Sequence, residues 1–230
     1  MRITWLGHSG FRIETAEAVL LVDPWLTGNP MFPEARRAEA IDRATHVLVS
    51  HGHGDHAGDA VAIARETGAP ILGIYDLMSF WAETEKVETV GFNKGGTVAA
   101  GDARVTIVNA VHSSSMGGPA GPVYAGAEAG FMIAADGHTI YFSGDTDVMA
   151  DMAVLAELHR PDIGLLCAGG HFTMDMARAA YAARKFFDFD MVIPCHYKTF
   201  DLLEQSAEAL VAGLPNVKVI EPDVLVPIEL

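Results

Sequence analysis

His51-Gly52-His53-Gly54-Asp55-His56 places three imidazoles and one carboxylate within six residues, directly after the β-like run 45–50. Imidazole and carboxylate groups are common protein ligands of Zn²⁺ and similar ions. The two glycines lack a Cβ, so the backbone can turn tightly and direct alternate side chains at one point. The alternative, a solvated loop or a His-rich tag, fits less well, because a tag lies at a terminus and does not follow a buried strand. The stretch therefore predicts a metal site at the end of a strand.

Three further ligand-type residues follow predicted strands elsewhere in the chain: His112, Asp145 and His196. In α/β proteins the side chains at the carboxyl ends of strands converge on a common crevice. A lone histidine at a strand end is more often a structural residue, but the cluster at 51–56 favours convergence here. The sequence therefore predicts a site for two metal ions with seven candidate ligands: His51, His53, Asp55, His56, His112, Asp145 and His196.

The composition is that of a soluble globular protein. Half of the 230 residues are hydrophobic and 20% are charged, and no apolar run approaches the roughly 20 residues that a membrane helix needs. The amino terminus lacks the apolar core of a signal peptide and is predicted as a first strand. No linker or break in composition divides the chain. We therefore expect one cytoplasmic domain spanning residues 1–230, long enough to bury a sizeable core.

The formal net charge of −15 makes most of the surface repel polyanions. Since no basic patch is visible, we expect a small-molecule substrate and neither a nucleic-acid nor a membrane partner; a homo-oligomer is compatible with the sequence. Cys167 and Cys195 lie in apolar runs and are expected as buried free thiols. A disulfide or a metal-ligand role is the less favoured interpretation, and nothing implies an oxidising compartment.

Patterning predicts three strands followed by strands that alternate with helices. The predicted strands are 3–6, 11–14, 19–22, 47–50, 71–74, 97–100, 104–111, 131–134, 139–142, 163–167, 191–194 and 217–220. The predicted helices are 59–67, which ends at the C-cap Gly68, and 76–85, 149–158, 174–187 and 204–212. Residues 28–44 and 113–122 are predicted as loops. The parts of the chain before and after about residue 105 are both rich in strands, and the two halves could be related to each other.

The chain resembles the metallo-β-lactamase superfamily over almost its whole length. The matching motifs are Leu21-Val22-Asp23-Pro24, the stretch 51–56, His112, Ser143-Gly144-Asp145-Thr146 and Pro194-Cys195-His196-Tyr197. Three more are similar to a small prokaryotic metal-dependent hydrolase branch related to ascorbate-6-phosphate lactonases: Trp5-Leu6-Gly7-His8-Ser9-Gly10, Phe172-Thr173-Met174 and His196-Tyr197-Lys198-Thr199-Phe200. The resemblance implies an α/β (α+β) fold, a four-layer αβ/βα sandwich, with a di-metal site at one edge.

Carried over position by position, the resemblance assigns each predicted ligand. It implies one metal on His51, His53 and His112, a second on Asp55, His56 and His196, and Asp145 as the bridge between them. Ions about 3.5–4 Å apart can share a carboxylate and a hydroxide, and one of them can act as a Lewis acid. The lack of cysteine ligands is typical of a catalytic rather than a structural site.

Asp55, His8 and His171 are the candidate catalytic residues. His8 would line the site or bind substrate, and the alternative is a histidine of a turn. His171 would contact substrate or donate a proton; the resembling branch usually has an asparagine there, so this position departs from its pattern.

Five other residues have a functional and a structural interpretation. Asp23 is predicted to orient a ligand imidazole; the structural alternative is that it caps a turn before a proline. Lys198 would bind an anionic group or lie solvated at the surface. Trp25, Phe32 and Trp81 would wall a pocket or pack in the core.

The sequence thus predicts a binuclear metal-dependent hydrolase that acts on an ester-type bond, a lactone or a related small molecule. Two divalent ions are expected, with Zn favoured and Mn, Fe, Co or Ni as alternatives. One competing hypothesis is a phosphodiesterase or nuclease of the same fold, which would need a basic arm. Another is a non-catalytic metal-binding or redox protein, such as a flavodiiron relative. That hypothesis would need an additional flavin domain, for which 230 residues leave no room. Loops 24–44, 75–95 and 113–125 are expected to shape the pocket.

Overall fold

Two seven-stranded β-sheets lie face to face in the structure, a computed structural model that describes residues 1–230. The strands are β1 (Arg2–Gly7), β2 (Gly10–Glu14), β3 (Val19–Val22), β4 (His46–Val49), β5 (Ile71–Ile74), β6 (Thr89–Phe92), β7 (Thr97–Ala100), β8 (Ala103–Asn109), β9 (Ser115–Gly118), β10 (Gly121–Tyr124), β11 (Ala129–Ala135), β12 (His138–Phe142), β13 (Ile163–Cys167), β14 (Met191–Cys195), β15 (Lys218–Val219) and β16 (Pro227–Glu229). The helices are α1 (Arg37–Ile41), α2 (Gly54–Ala57), α3 (Ala60–Thr67), α4 (Tyr75–Thr84), α5 (Asp151–His159), α6 (Met176–Phe186) and α7 (Glu208–Gly213).

Both sheets repeat one pattern of strand pairing. The first has the order β16-β1-β2-β3-β4-β5-β6, and the second has the order β7-β8-β11-β12-β13-β14-β15. In each sheet the first four strands pair antiparallel, and the pairs that follow are parallel. The repeat agrees with the hypothesis of related halves, although the boundary falls between Phe92 and Thr97 rather than near residue 105.

The core lies between the sheets and beneath the helices. Phe11 of β2 contacts Phe142 of β12 across the interface, with ring centroids 6.2 Å apart. Every residue of β3 and β13 is buried, which explains their continuous apolar runs, since a strand covered on both faces needs no alternation. Helices α3 and α4 pack against the first sheet and α6 against the second. The predicted αβ/βα sandwich is confirmed.

Two predicted loops contain regular structure. Residues 28–44 include a 3₁₀ turn, Glu34–Arg36, and helix α1, whose Ala40 and Ile41 are buried. One helical turn is too short for a hydrophobic period to show in sequence. Residues 113–122 overlap the hairpin β9–β10, which pairs through its backbone and lacks an alternating apolar pattern. The sequence pattern also does not predict strands β6 and β16, which both lie at the edges of the first sheet.

The elements bring the ligand-type residues to one edge of each sheet. Because β1 and β3 both run antiparallel to β2, and β4 is parallel to β3, their carboxyl ends lie together. The same relation holds for β8, β12 and β14 in the second sheet. The residues that follow these ends are His8, Asp23 and His51 in the first sheet, and His112, Asp145 and His196 in the second.

Cys167 and Cys195 are buried free thiols, as predicted, and lie opposite each other on β13 and β14. Burial raises the pKa of Cys167 to about 11, so this thiol stays protonated near neutral pH. The helices are all too short or too polar to cross a lipid bilayer.

Candidate metal centre

Three imidazoles form the first group of possible ligands. His51, His53 and His112 each offer a ring nitrogen within 4.8 Å of the others, and His51 Nε2 lies 3.0 Å from His53 Nδ1. His51 is buried, whereas the other two are partly exposed. Burial lowers the pKa of all three rings. The rings are therefore neutral near neutral pH, the protonation state that a metal ligand requires.

A second group surrounds Asp55. His8, Asp55, His56 and His196 offer ligand atoms that also lie within 4.8 Å of one another. Asp55 is partly exposed, and the three histidines are buried. The group combines a carboxylate with imidazoles, a donor set that suits several divalent transition metals.

Asp145 lies between the two groups. Its Oδ2 atom is 3.3 Å from His56 Nε2 and 3.0 Å from His196 Nε2 on one side, and 3.6 Å from His112 Nε2 on the other. Burial alone would raise the pKa of Asp145, but the facing His196 and His56 outweigh it and hold the pKa well below its usual range. The carboxylate is thus ionised and within reach of both groups.

The residues present fit divalent metal ions. His56 Nε2 and Asp145 Oδ1 are both buried and have no hydrogen-bond partner. Leaving such atoms without a partner is costly unless a bound ion or water satisfies them. His56 also faces Asp23, Asp55 and Asp145 at 2.7, 4.0 and 3.3 Å. Burial by itself lowers the pKa of His56, but Asp145 and the other carboxylates raise it well above its usual value. The surroundings of this ring demand a positive charge, which a cation can supply in place of the proton.

Asp23 fixes the orientation of the His56 ring. Its carboxylate accepts hydrogen bonds from His56 Nδ1 at 2.7 Å and from the backbone N–H and hydroxyl of Ser50 at 2.7 and 2.5 Å. With Nδ1 held in this way, Nε2 points toward Asp145. A carboxylate behind a ligating imidazole is the usual supporting arrangement at metal sites.

His8 is enclosed rather than open to a substrate. The ring is fully buried, and burial lowers its pKa to about 4, so the imidazole is neutral. Its Nε2 lies 3.1 Å from Asp55 Oδ2 and its Nδ1 lies 2.8 Å from Thr199 Oγ1. A carboxylate can only accept, so Nε2–H donates to Asp55 and Nδ1 accepts from the Thr199 hydroxyl. These contacts hold the His8 ring against Asp55, and its role as a residue that lines the site or binds substrate stays a prediction.

His171 lies outside both groups. It is exposed, and its ring contacts Phe172 edge-on with centroids 4.6 Å apart. No hydrogen bond or ring contact joins it to a residue of either group, so its role as a proton donor stays a prediction. Lys198 is engaged at the surface, where its ammonium lies 3.1 Å from Glu221 and over the ring of Tyr197.

Of the three aromatic residues that could line a pocket, two lie in the core and one lies beside the candidate metal centre. Phe32 and Trp81 are buried and belong to the core. Trp25 is partly exposed and lies edge-on to the His8 ring, with centroids 5.4 Å apart. Of the three, only Trp25 borders the candidate metal centre.

Strained backbone accompanies the site. His8, Asp23 and His196 adopt the left-handed conformation with φ of 51°, 44° and 58°, which is uncommon for residues other than glycine. The backbone N–H of His196 donates to the carbonyl of His8 at 2.9 Å, and this bond ties the second sheet to the first. Such strain is stored where the surrounding structure fixes the position of functional groups.

Gly52 is required by a close contact. A Cβ atom at this position would lie 2.4 Å from the Cβ of Ala125 and 3.2 Å from the carbonyl of Ser115, at the base of the β9–β10 hairpin. The Gly52 N–H donates to the Ser114 hydroxyl at 3.2 Å. A Cβ at Gly54 would meet nothing within 4 Å. The hairpin base, which sequence patterning missed, therefore holds the turn that carries His51 and His53.

Known proteins resemble this chain along its whole length. A family model described as Beta-lactamase superfamily domain matches residues 2–196. A UPF0173 metal-dependent hydrolase of Cereibacter sphaeroides strain KD131 is 69% identical, and one of Paracoccus denitrificans is 66% identical, each over 230 residues that cover all of both chains. Among solved structures, Igni18, a metallo hydrolase from the hyperthermophilic archaeon Ignicoccus hospitalis, matches with a TM-score of 0.84 at 31% identity and covers 100% of this chain and 98% of its own.

We expect Gly52→Ala to destabilise the fold by about 1–3 kcal/mol, because the new methyl group overlaps the hairpin base. The same change should lower metal loading, since the turn between His51 and His53 must shift. Urea unfolding and metal titration measure the two effects. Gly54→Ala is the matched control, because it adds the same methyl group to open space two residues away. Equal effects of the two substitutions would contradict the role assigned to the hairpin.

We expect Asp23→Asn to weaken metal binding by about 10–100-fold, because the amide supports the His56 imidazole less well than the carboxylate. Competition with a chromogenic chelator measures the affinity. Asp162→Asn is the control, since Asp162 binds His138 and Thr139 at the opposite end of β12 from Asp145. An Asp23→Asn protein with unchanged affinity would refute the supporting role.

Proposed function

Since the chain belongs to the β-lactamase superfamily, and within it to the UPF0173 family of metal-dependent hydrolases, we propose that it hydrolyses an ester-type bond of a small molecule. The proposed machinery is a pair of divalent ions bound at the candidate metal centre. His51, His53 and His112 would hold one ion, and Asp55, His56 and His196 would hold the other. Zn is the proposed metal, with Mn, Fe, Co and Ni as alternatives that the same donors accept.

The position of Asp145 is the observation that carries this proposal. One carboxylate oxygen lies within 3.6 Å of imidazoles from both groups, which is the arrangement that two ions sharing a carboxylate require. A site for a single structural ion has no use for a second ligand group on the far side of the carboxylate. The absence of cysteine from both groups also favours a catalytic site.

Two bound ions would supply a water of lowered pKa as nucleophile and a Lewis acid for the substrate oxygen. The residues of the chain would hold this chemistry in place. Asp145 would fix the separation of the two groups, Asp23 would orient His56, and His8 would orient Asp55. The partly exposed members of the groups mark the side from which a substrate can enter: His53, Asp55 and His112.

The charge of the chain supports a small-molecule substrate. At a formal net charge of −15 the surface repels nucleic acid. Lys198, the cation closest in sequence to His196, is paired with Glu221. A lactone or a similar uncharged ester needs no cation beyond the metals, whereas a phosphodiester polymer needs a basic track along its backbone. We therefore favour the lactone or ester over the phosphodiester.

We expect about two divalent ions per wild-type chain at full loading, and we expect Asp145→Ala to lose metal from both groups. The same variant should lose orders of magnitude in kcat, because the bridge contacts both ions. Elemental analysis and initial rates test this. Asp147→Ala is the matched control, since Asp147 is half exposed and pairs with Arg178 at the surface. Two retained ions with near-normal turnover would show that Asp145 is not the bridge.

The proposed activity is tested by offering lactones, simple esters, thioesters and phosphodiesters to the metal-loaded protein. We expect turnover of lactones or esters that a chelator abolishes and added metal restores. Turnover confined to phosphodiesters would replace the proposal with the nuclease-type hypothesis. Failure of the loaded protein to hydrolyse any class would contradict it.

A further inference from the structure

Two aromatic rings from separate loops stand together beside the Asp55 group. Trp25 follows β3 and Phe200 follows β14, and their ring centroids lie 6.1 Å apart. Both rings meet the same imidazole, because the centroid of His8 lies 5.4 Å from Trp25 and 5.7 Å from Phe200. His8 in turn donates to Asp55 at 3.1 Å. Only the His8 ring therefore separates the pair from Asp55, a proposed metal ligand.

Hydrogen bonds fix the chain next to each ring. Thr199, next to Phe200, is bonded to His8 at 2.8 Å and lies 3.2 Å from the sulfur of Met31. On the other loop, the carbonyl of Trp25 accepts from Asn29 at 3.0 Å, and the N–H group of Leu26 donates to the buried Asp59 at 2.7 Å. A surface whose backbone is fixed in advance loses less entropy when a ligand packs on it.

The pair is also open. Phe200 is 38% exposed and Trp25 is partly exposed, although large aromatic side chains usually bury their rings. Asp55, which His8 links to the pair, is the ligand-type residue of this group that solvent reaches. An open aromatic surface next to a polar site provides favourable burial for an apolar group whose reactive end is at the metals.

The charged residues next to Phe200 in the chain do not favour an anionic group. Lys198 is adjacent to Thr199 in the chain, but its ammonium is bound to Glu221 at 3.1 Å. Asp201 and Glu204 follow Phe200 and are exposed. These neighbouring residues offer a phosphate or carboxylate no free cation, whereas an uncharged alkyl or aryl group gains free energy from leaving water.

We propose that Trp25 and Phe200 form a binding surface for an uncharged apolar substituent of the substrate, an alkyl or aryl group attached to the ester or lactone. The proposal rests on the proposed function, since it names the substrate class of the same site. It predicts that the protein discriminates between substrates by an apolar group remote from the reacting bond.

The first test compares γ-octalactone with γ-butyrolactone, which share the reacting ring and differ by a remote butyl chain. We expect wild-type kcat/KM to favour the longer lactone by about tenfold or more, from partial burial of four carbons. Trp25→Ala and Phe200→Ala should each bring the ratio of the two kcat/KM values toward one, mainly through KM. Tyr181→Ala is the control, because Tyr181 is an exposed aromatic residue of α6 and should keep the wild-type ratio. A γ-lactone whose side chain ends in a carboxylate should gain nothing over γ-butyrolactone.

The second test measures binding without hydrolysis, using calorimetry with acetohydroxamate and octanohydroxamate on the metal-loaded protein. We expect the longer probe to bind more tightly, and this preference should fall in Trp25→Ala and Phe200→Ala. If no lactone is hydrolysed but this pattern holds, the apolar surface stands and the proposed reaction fails. If lactones are hydrolysed while neither test shows a preference that depends on these two residues, the reaction stands and the apolar surface is refuted.

Discussion

The buried carboxylate of Asp145 is the constraint on which the rest of the site depends. A carboxylate that is 2% exposed must find positive charge or hydrogen-bond donors, because burial otherwise raises its free energy by several kcal/mol. Here it lies between His56 and His196 on one side and His112 on the other. His56 is itself fixed by Asp23, and the backbone of His196 is bonded to His8. One charge thus connects both sheets, and the proposed pair of divalent ions would balance it.

The repeated strand pairing of the two sheets explains how these residues come together. His8 follows β1 and His112 follows β8, which are corresponding strands; Asp23 and Asp145 likewise follow the corresponding strands β3 and β12. In the second sheet the two positions face the proposed ions. In the first sheet the corresponding residues, His8 and Asp23, lie behind the proposed ligands, because His8 binds Asp55 and Asp23 binds His56. One architectural unit therefore supplies both the proposed ligands and the residues that support them.

Sequence patterning predicted most of the strands and gathered the seven candidate ligands, because these residues lie in a dense motif or directly after apolar strands. The sandwich fold followed from the resemblance to the metallo-β-lactamase superfamily. Patterning also anticipated Asp23, which ends a strand before a proline. The contacts that complete the site were beyond its reach, since the hydrogen bond of His8 to Thr199 joins residues 191 positions apart. The requirement for Gly52 arises from a hairpin whose strands pair through their backbones and lack an alternating apolar pattern. Hydrophobic periodicity and secondary-structure propensity do not report contacts between residues far apart in the sequence.

Anomalous diffraction from crystals of the metal-loaded protein, recorded at the absorption edge of the bound metal, tests the two-ion site most directly. Two peaks about 3.5–4 Å apart are expected, one bounded by His51, His53 and His112, the other by Asp55, His56 and His196, with Asp145 contacting both. A single peak at full loading, or a second peak away from the Asp145 carboxylate, would contradict the bridged centre.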